Sequence, residues 1–178
     1  MKQYTIEQSS FSHFFLSDTK SSPLWFLLRI YVGWIWLSAG WEKVISPAWF
    51  GANAGAPLKG FIMGALQKTT GAHPDVQGWY AYFLQHFVLT NVVFWSNLVT
   101  TGEILIGTAL ILGFLTGISA FFGIFLNLNF LLAGAVSINP ILFILGLGLV
   151  LAWRVSGYLG ADAFILPILH SYLRPKRS

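Results

Sequence analysis

Apolar residues fill long stretches of this chain with few interruptions, and the length of each stretch decides what it can be. A helix must run for about 20 mostly apolar residues to cross the hydrocarbon core of a bilayer. Four segments reach that length: roughly residues 23 to 42, 91 to 113, 117 to 137 and 140 to 158. They predict an all-α membrane protein, a four-transmembrane-helix antiparallel bundle. Ser21 and Ser22 are cap candidates for the first span, and Pro23 suits its first turn. "GFLTG" between spans two and three and "SINP" between spans three and four leave room only for tight turns.

The one long connection, residues 44 to 90, holds "LKGFIMGALQKTT" and "DVQGWYAYFLQHFVL". Both are amphipathic at helical spacing and rich in aromatics, which predicts helices lying in the interface or capping the bundle. Residues 1 to 22 form a polar tail without the apolar core of a secretory signal. Phe11, Phe14 and Phe15 in that tail read as an interfacial tether. Residues 159 to 178 read as an interfacial segment ending in a basic tail that would sit against anionic headgroups.

Composition sharpens this picture. Only 9% of residues are charged and 56% are hydrophobic, whereas a soluble domain carries charge on about a quarter of its positions. The net charge of +4 comes with no soluble module or long basic run, so no nucleic-acid partner is expected. Lys and Arg report orientation instead. Lys2, Lys20, Arg29, Arg154, Arg174, Lys176 and Arg177 fall on one side and Lys43, Lys59 and Lys68 on the other. That bias predicts an integral inner-membrane protein with both termini in the cytoplasm and residues 44 to 90 outside. With no cysteine, neither a disulfide, a thiol relay nor an iron–sulfur cluster bound by this chain is expected. His13, His73, His86 and His170 all lie outside the spans, so no haem or other metal site is predicted. Trp34, Trp36 and Trp95 either line an aromatic pocket or simply pack.

The polar residues inside the spans are the candidates for chemistry. Helical spacing puts Arg29, Gly33, Trp36, Gly40 and Lys43 on one face of span one, and Ser96, Thr100, Glu103 and Gly107 on one face of span two. Small residues allow close helix approach, so both faces look inward. Counting from the span ends places Glu103 near the midplane, level with Asn127, and Arg29 about 7 Å below it. An arginine side chain reaches that far, which predicts Arg29 and Glu103 paired directly or through water or Asn127. A carboxylate at this depth costs about 2.5–3.5 kcal/mol on insertion scales. Two readings of Glu103 stand: a bundle-locking hydrogen bond or ion pair, and a proton-handling or ligand-contacting acid.

Arg29 and Gly33 followed by "SAG" and Lys43, then Glu103, Gly107 and "ILGFLTG", then "SGYLGADAFILP" with Gly157, Gly160 and Asp162, resemble the signatures of the DoxX/DoxD membrane family. The resemblance covers most of residues 23 to 167, and the long outer loop resembles the DoxD branch. It implies a subunit of thiosulfate:quinone oxidoreductase, which oxidises thiosulfate to tetrathionate and passes electrons to membrane quinone, working with a DoxA-like partner that this chain does not carry. Under that reading Glu103 exchanges protons with Arg29 or Asn127 orienting it, Trp36, Thr100 and Asn127 hold quinone, and Lys43 with Lys59, Lys68 and His73 draws in the anion. A non-catalytic membrane scaffold, with homo-oligomers as an option, is the alternative. A small-solute transporter is weaker, since four spans show no inverted repeat or broken-helix pair.

Overall fold

A computed structural model describes residues 9–173, with side chains to residue 169. Lys2, Arg174, Lys176, Arg177, the basic tail and the His170 side chain, all used in the sequence reading, lie outside the described residues. Among the described residues the regular elements are all helices: α1 (Ser10–Ser17), α2 (Ser22–Val44), α3 (Ala56–Leu66), α4 (Gly78–Phe83), α5 (Val92–Leu112), α6 (Thr116–Leu132), α7 (Asn139–Leu151), α8 (Trp153–Ser156) and α9 (Asp162–Leu173).

Among the described residues two helical stretches are long and apolar enough to cross a membrane, Thr19–Val44 and Gly78–Leu112. The second is longer than expected because α4 runs through a π turn (Leu84–Val88) and a short 3-10 turn directly into α5. The third and fourth apolar helices are shorter than the expected spans. α6 has 17 residues and α7 has 13, or about 25 and 20 Å against about 30 Å of hydrocarbon. α6 stops because Gly134 takes a left-handed conformation (φ 73°) and the Ala135 N–H turns back to the Phe130 carbonyl at 3.0 Å, a glycine-ended helix terminus. α7 stops at Leu151, and the remainder of the expected fourth span becomes the separate turn α8.

The α2–α5 pair is the most extensive contact, and its register is set by glycines. Gly40 lies against Glu103 and Ile104, Gly107 against Leu37, and Gly33 against Leu110 and Ile111. The two helices are therefore antiparallel and in close backbone contact, as the two predicted small-residue faces require. α6 packs on α5 and on α7. Trp25, Val32, Trp36, Ile106, Leu110 and Leu149 form the core between these helices. A second core, with Ile62, Val76, Tyr80 and Leu84 at its centre, joins the α3–α4 connection to the end of α6.

The predicted outer-loop helices are present as α3 and α4. They gather at one end with the C-terminus of α2, the N-terminus of α5 and the turn between α6 and α7, here called the loop end. α1 packs on α8 at the opposite, terminal end, where Trp25 donates its indole N–H to the Phe15 carbonyl at 2.7 Å. Phe11 and Phe14 of α1 are exposed, and so are Leu27, Trp34, Leu105, Phe121, Phe122, Phe125 and Ile144 around the helix pair surfaces. So continuous an apolar exterior suits lipid rather than water.

Candidate functional site

Glu103 sits on the inward face of α5, where every residue of the predicted stripe (Ser96, Thr100, Glu103, Gly107) is buried. Gly40 brings α2 close enough for Lys43, one turn further along, to reach the carboxylate. Lys43 Nζ lies 2.7 Å from Glu103 Oε2, with the lysine side chain 18% exposed and the glutamate 2%. The ammonium also donates to the Ala39 carbonyl at 3.3 Å and lies 5.3 Å from the centre of the Trp49 ring. Trp49 is held over the pair by the Ser96 hydroxyl, which donates to its carbonyl. Asn97 fixes the same loop through two bonds with the Gly51 backbone, at 2.8 and 3.1 Å. The result is a buried acid whose cationic partner touches the surface beneath an aromatic cover.

Arg29 does not pair with Glu103. It is fully buried, as expected, but at the terminal end, where Nη2 donates to the Leu159 carbonyl at 2.9 Å. The ends of α2 and α5 are not level, so the expected offset of about 7 Å does not hold. In the observed register Arg29 faces Gly113, so Glu103 lies about 15 Å further along α5. Gly113 and Gly160 press on the guanidinium so closely that a Cβ at either would collide with it. Arg29 also lies 5.4 Å from the Phe26 ring centre. Asp162, itself buried, acts on this charge through space without an ion-pair contact, and Arg29 Nε and Nη1 have no hydrogen-bond partner among the described residues. Asp162 accepts the Leu115 N–H at 2.6 Å and the Thr116 N–H at 2.8 Å, capping α6 from a distant part of the chain. Leu115 has φ 45°, a left-handed conformation that a leucine holds only where its surroundings fix it. This knot is what "SGYLGAD" builds. The sequence reading placed Asp162 in a motif and gave it no role, because its partners are backbone N–H groups.

Trp36, Thr100 and Asn127 are all buried. The Thr100 hydroxyl donates to the Ser96 carbonyl at 2.8 Å, and Asn127 Nδ2 donates to Asn139 Oδ1 at 3.1 Å. Trp36 stacks on Phe130, with ring centres 6.5 Å apart. The structure thus brings Asn127 to Asn139, a residue the sequence reading passed over, and gives Glu103 to Lys43. Asn127 Oδ1 is buried without a hydrogen-bond partner. Asn129, on the other side of the same helix, meets the Tyr80 hydroxyl instead, at 2.9 Å through its carbonyl and 3.1 Å through Oδ1.

Of the expected anion-attracting residues, Lys43, Lys59, Lys68 and His73 all fall at the loop end. Lys59 and His73 are exposed, and Lys68 Nζ donates to the Gly134 carbonyl at 2.7 Å. Lys43 alone among them touches Glu103. Chemically, the arrangement offers a carboxylate that can exchange its ammonium partner for a proton when an anion draws the ammonium outward.

Comparison with protein-family models matches residues 24–172 to the model described as TQO small subunit DoxD. No curated protein and no solved structure matches the chain.

Proposed function

The chain belongs to the DoxD family, and from that premise we propose that it is the membrane subunit of a thiosulfate:quinone oxidoreductase. In that reaction two thiosulfate ions join as tetrathionate and release two electrons, which a quinone takes up with two protons. The bundle then lies in the inner membrane with α2, α5, α6 and α7 as its four spans. α8 continues the short α7, and the bilayer adapts to helices of unequal length at modest cost. Both termini face the cytoplasm in this arrangement. The placing of α1 and α8 at one end and the excess of Lys and Arg in the two tails support it.

The observation that carries the site is the Lys43–Glu103 contact. Lys59, Lys68 and His73 raise the local concentration of a divalent anion at the loop end, and Lys43 is the cation with a route inward. An anion that takes Lys43 leaves Glu103 to bind a proton, so anion arrival and proton uptake are linked at one pair. Arg29 belongs to the fold at the opposite end, with no part in this exchange. A DoxA-like chain completes the enzyme. The test is thiosulfate-dependent quinone reduction by the purified chain, alone and with a partner chain, in wild type and Glu103→Gln. The reading expects turnover with the partner, and its loss in Glu103→Gln at unchanged folded yield. Absence of turnover in both wild-type preparations sinks it.

A second reading, a non-catalytic scaffold, is favoured by the same pair's closure: Glu103 is almost fully enclosed and Lys43 satisfies it. Under that reading Glu103→Gln lowers the folded yield and leaves the complex's specific activity unchanged.

A further inference from the structure

Between α3, α4, α5 and α6 is a cavity of about 180 Å³. Its walls are aromatic: Phe61, Phe83, Trp95, Phe125 and Phe130. The π turn turns Leu84 and Val88 into it, and π turns often mark functional sites. The Trp95 indole donates to the Phe87 carbonyl at 3.1 Å. The other polar side chains of the lining are Tyr80 and Asn129. Asn129 Nδ2 gives one hydrogen to the Phe125 carbonyl at 2.7 Å, and a carboxamide has a second to offer. The Tyr80 hydroxyl, against Asn129 Oδ1, fixes which way that amide points.

The cavity does not end there. Leu98, Phe125 and Leu126 also line a groove of about 540 Å³ that follows α5 and α6. The groove passes Gly102 and Leu105 to Ala109, about 16 Å along the helix. Its exposed residues, Leu98, Leu105 and Phe122 among them, lie on the lipid-facing side.

We propose that cavity and groove together bind an isoprenoid quinone, the ring in the aromatic chamber and the tail along the α5–α6 groove. A planar ring gains offset and edge contacts from such walls, and a ring carbonyl accepts the free Asn129 N–H. No charged residue lines either space, so neither suits thiosulfate, and a plain acyl chain has no use for the carboxamide. Val99 of the lining stands one helical turn before Glu103 on α5. This inference rests on the quinone-linked reading for the ligand's class and on the cavity for its place. Trp36, expected to touch the ring, stacks on Phe130 and does not line the chamber.

The test is calorimetric titration of the full-length protein in micelles with a decyl-tailed benzoquinone and with the same ring lacking the tail, each corrected for empty micelles. Saturable binding is expected, with the tailed ligand about tenfold or more the tighter. Asn129→Leu weakens both ligands about five- to tenfold, one hydrogen bond's contribution. Leu98→Trp, at the junction of chamber and groove, cuts the tail's advantage to less than about threefold. Leu98 is 47% exposed, so this second variant folds even where the first does not. Unchanged affinities in both variants overturn the proposal, as does equal displacement by a decyl alcohol. If the binding pattern appears but thiosulfate drives no quinone reduction, the site stands and the enzymatic reading falls. If turnover at limiting quinone is untouched in both variants, the reading stands and the site falls.

Discussion

Lys43 and Glu103 meet at 2.7 Å across α2 and α5, and the two side chains differ in their access to water: 18% exposed against 2%. That difference predicts unequal mutational effects. Lys43→Met strands an enclosed carboxylate and should cost about 3 kcal/mol, the lower part of the range for a buried pair broken from one side. Glu103→Gln leaves a lysine that can swing its ammonium outward along its flexible stem, and should cost about 1 kcal/mol or less. Unfolding midpoints in a denaturing detergent series check this; a larger loss for Glu103→Gln would contradict it.

At the terminal end the vulnerable residue is Asp162. Asp162→Ala removes the acceptor for two backbone N–H groups and releases the turn at Leu115 from its cap. The expected cost is about 2–4 kcal/mol, from two buried N–H groups left without an acceptor. Combining it with Arg29→Leu should cost less than the two single losses together, because both side chains hold the same turn from Gly113 to Thr116. Additive losses in thermal unfolding would show that the two residues act independently.

The positions of these residues were legible in the sequence to different degrees. Helical spacing alone marked Arg29, Gly33, Trp36, Gly40 and Lys43 as one inward face and Ser96, Thr100, Glu103 and Gly107 as another, and all are buried except Lys43, which is 18% exposed. Pairing was not legible, because it depends on the axial register of α2 against α5. That register is set by which glycine meets which backbone, Gly40 at Ile104 and Gly107 at Leu37. Counting residues from span ends replaced this information with an assumption. The segment 157–162 folds into the terminal end and occupies the level where the end of span two had been matched to that of span one. The early end of α6 was hidden for a similar reason, since Gly134 sits inside an apolar run and acts only through its φ. Tyr80 and Asn129 lie 49 residues apart, and nothing local couples a loop tyrosine to that asparagine.

Because the chain has no cysteine of its own, single cysteines can report which face is outside. Lys59→Cys lies at the loop end and Ser17→Cys at the terminal end, both at exposed positions. The proposed orientation expects an impermeant maleimide added to intact cells with a permeable outer envelope to label position 59 and not 17. Inverted inner-membrane vesicles should give the opposite pattern. Labelling of position 17 in intact cells would reverse the topology and place the Lys43–Glu103 pair on the cytoplasmic side.

The closest helix approach in the bundle supplies the last prediction. A Cβ on Gly107 would collide with the backbone of Leu37, and one on Gly40 would come within 2.9 Å of the Ile104 backbone nitrogen. Neither obstacle is the tip of a flexible side chain, so α2 and α5 must separate to admit even a methyl group. Overpacking of this kind costs about 1–3 kcal/mol. It should also loosen the Lys43–Glu103 contact, since Gly40 and Gly107 each stand one turn from it, both on its terminal-end side. Gly60, inside α3, has open space where its Cβ would go. There the gain in helix propensity is unopposed, and Gly60→Ala should stabilise by about 0.5–1 kcal/mol. The three alanine variants differ from wild type by the same single methyl group, so glycine content as such predicts the same sign for all. If Gly40→Ala and Gly107→Ala lower the unfolding midpoint while Gly60→Ala raises it, the glycine-set register of α2 and α5 holds. If all three raise it, the two helices do not meet at these residues, and the pairing of Lys43 with Glu103 loses its structural basis.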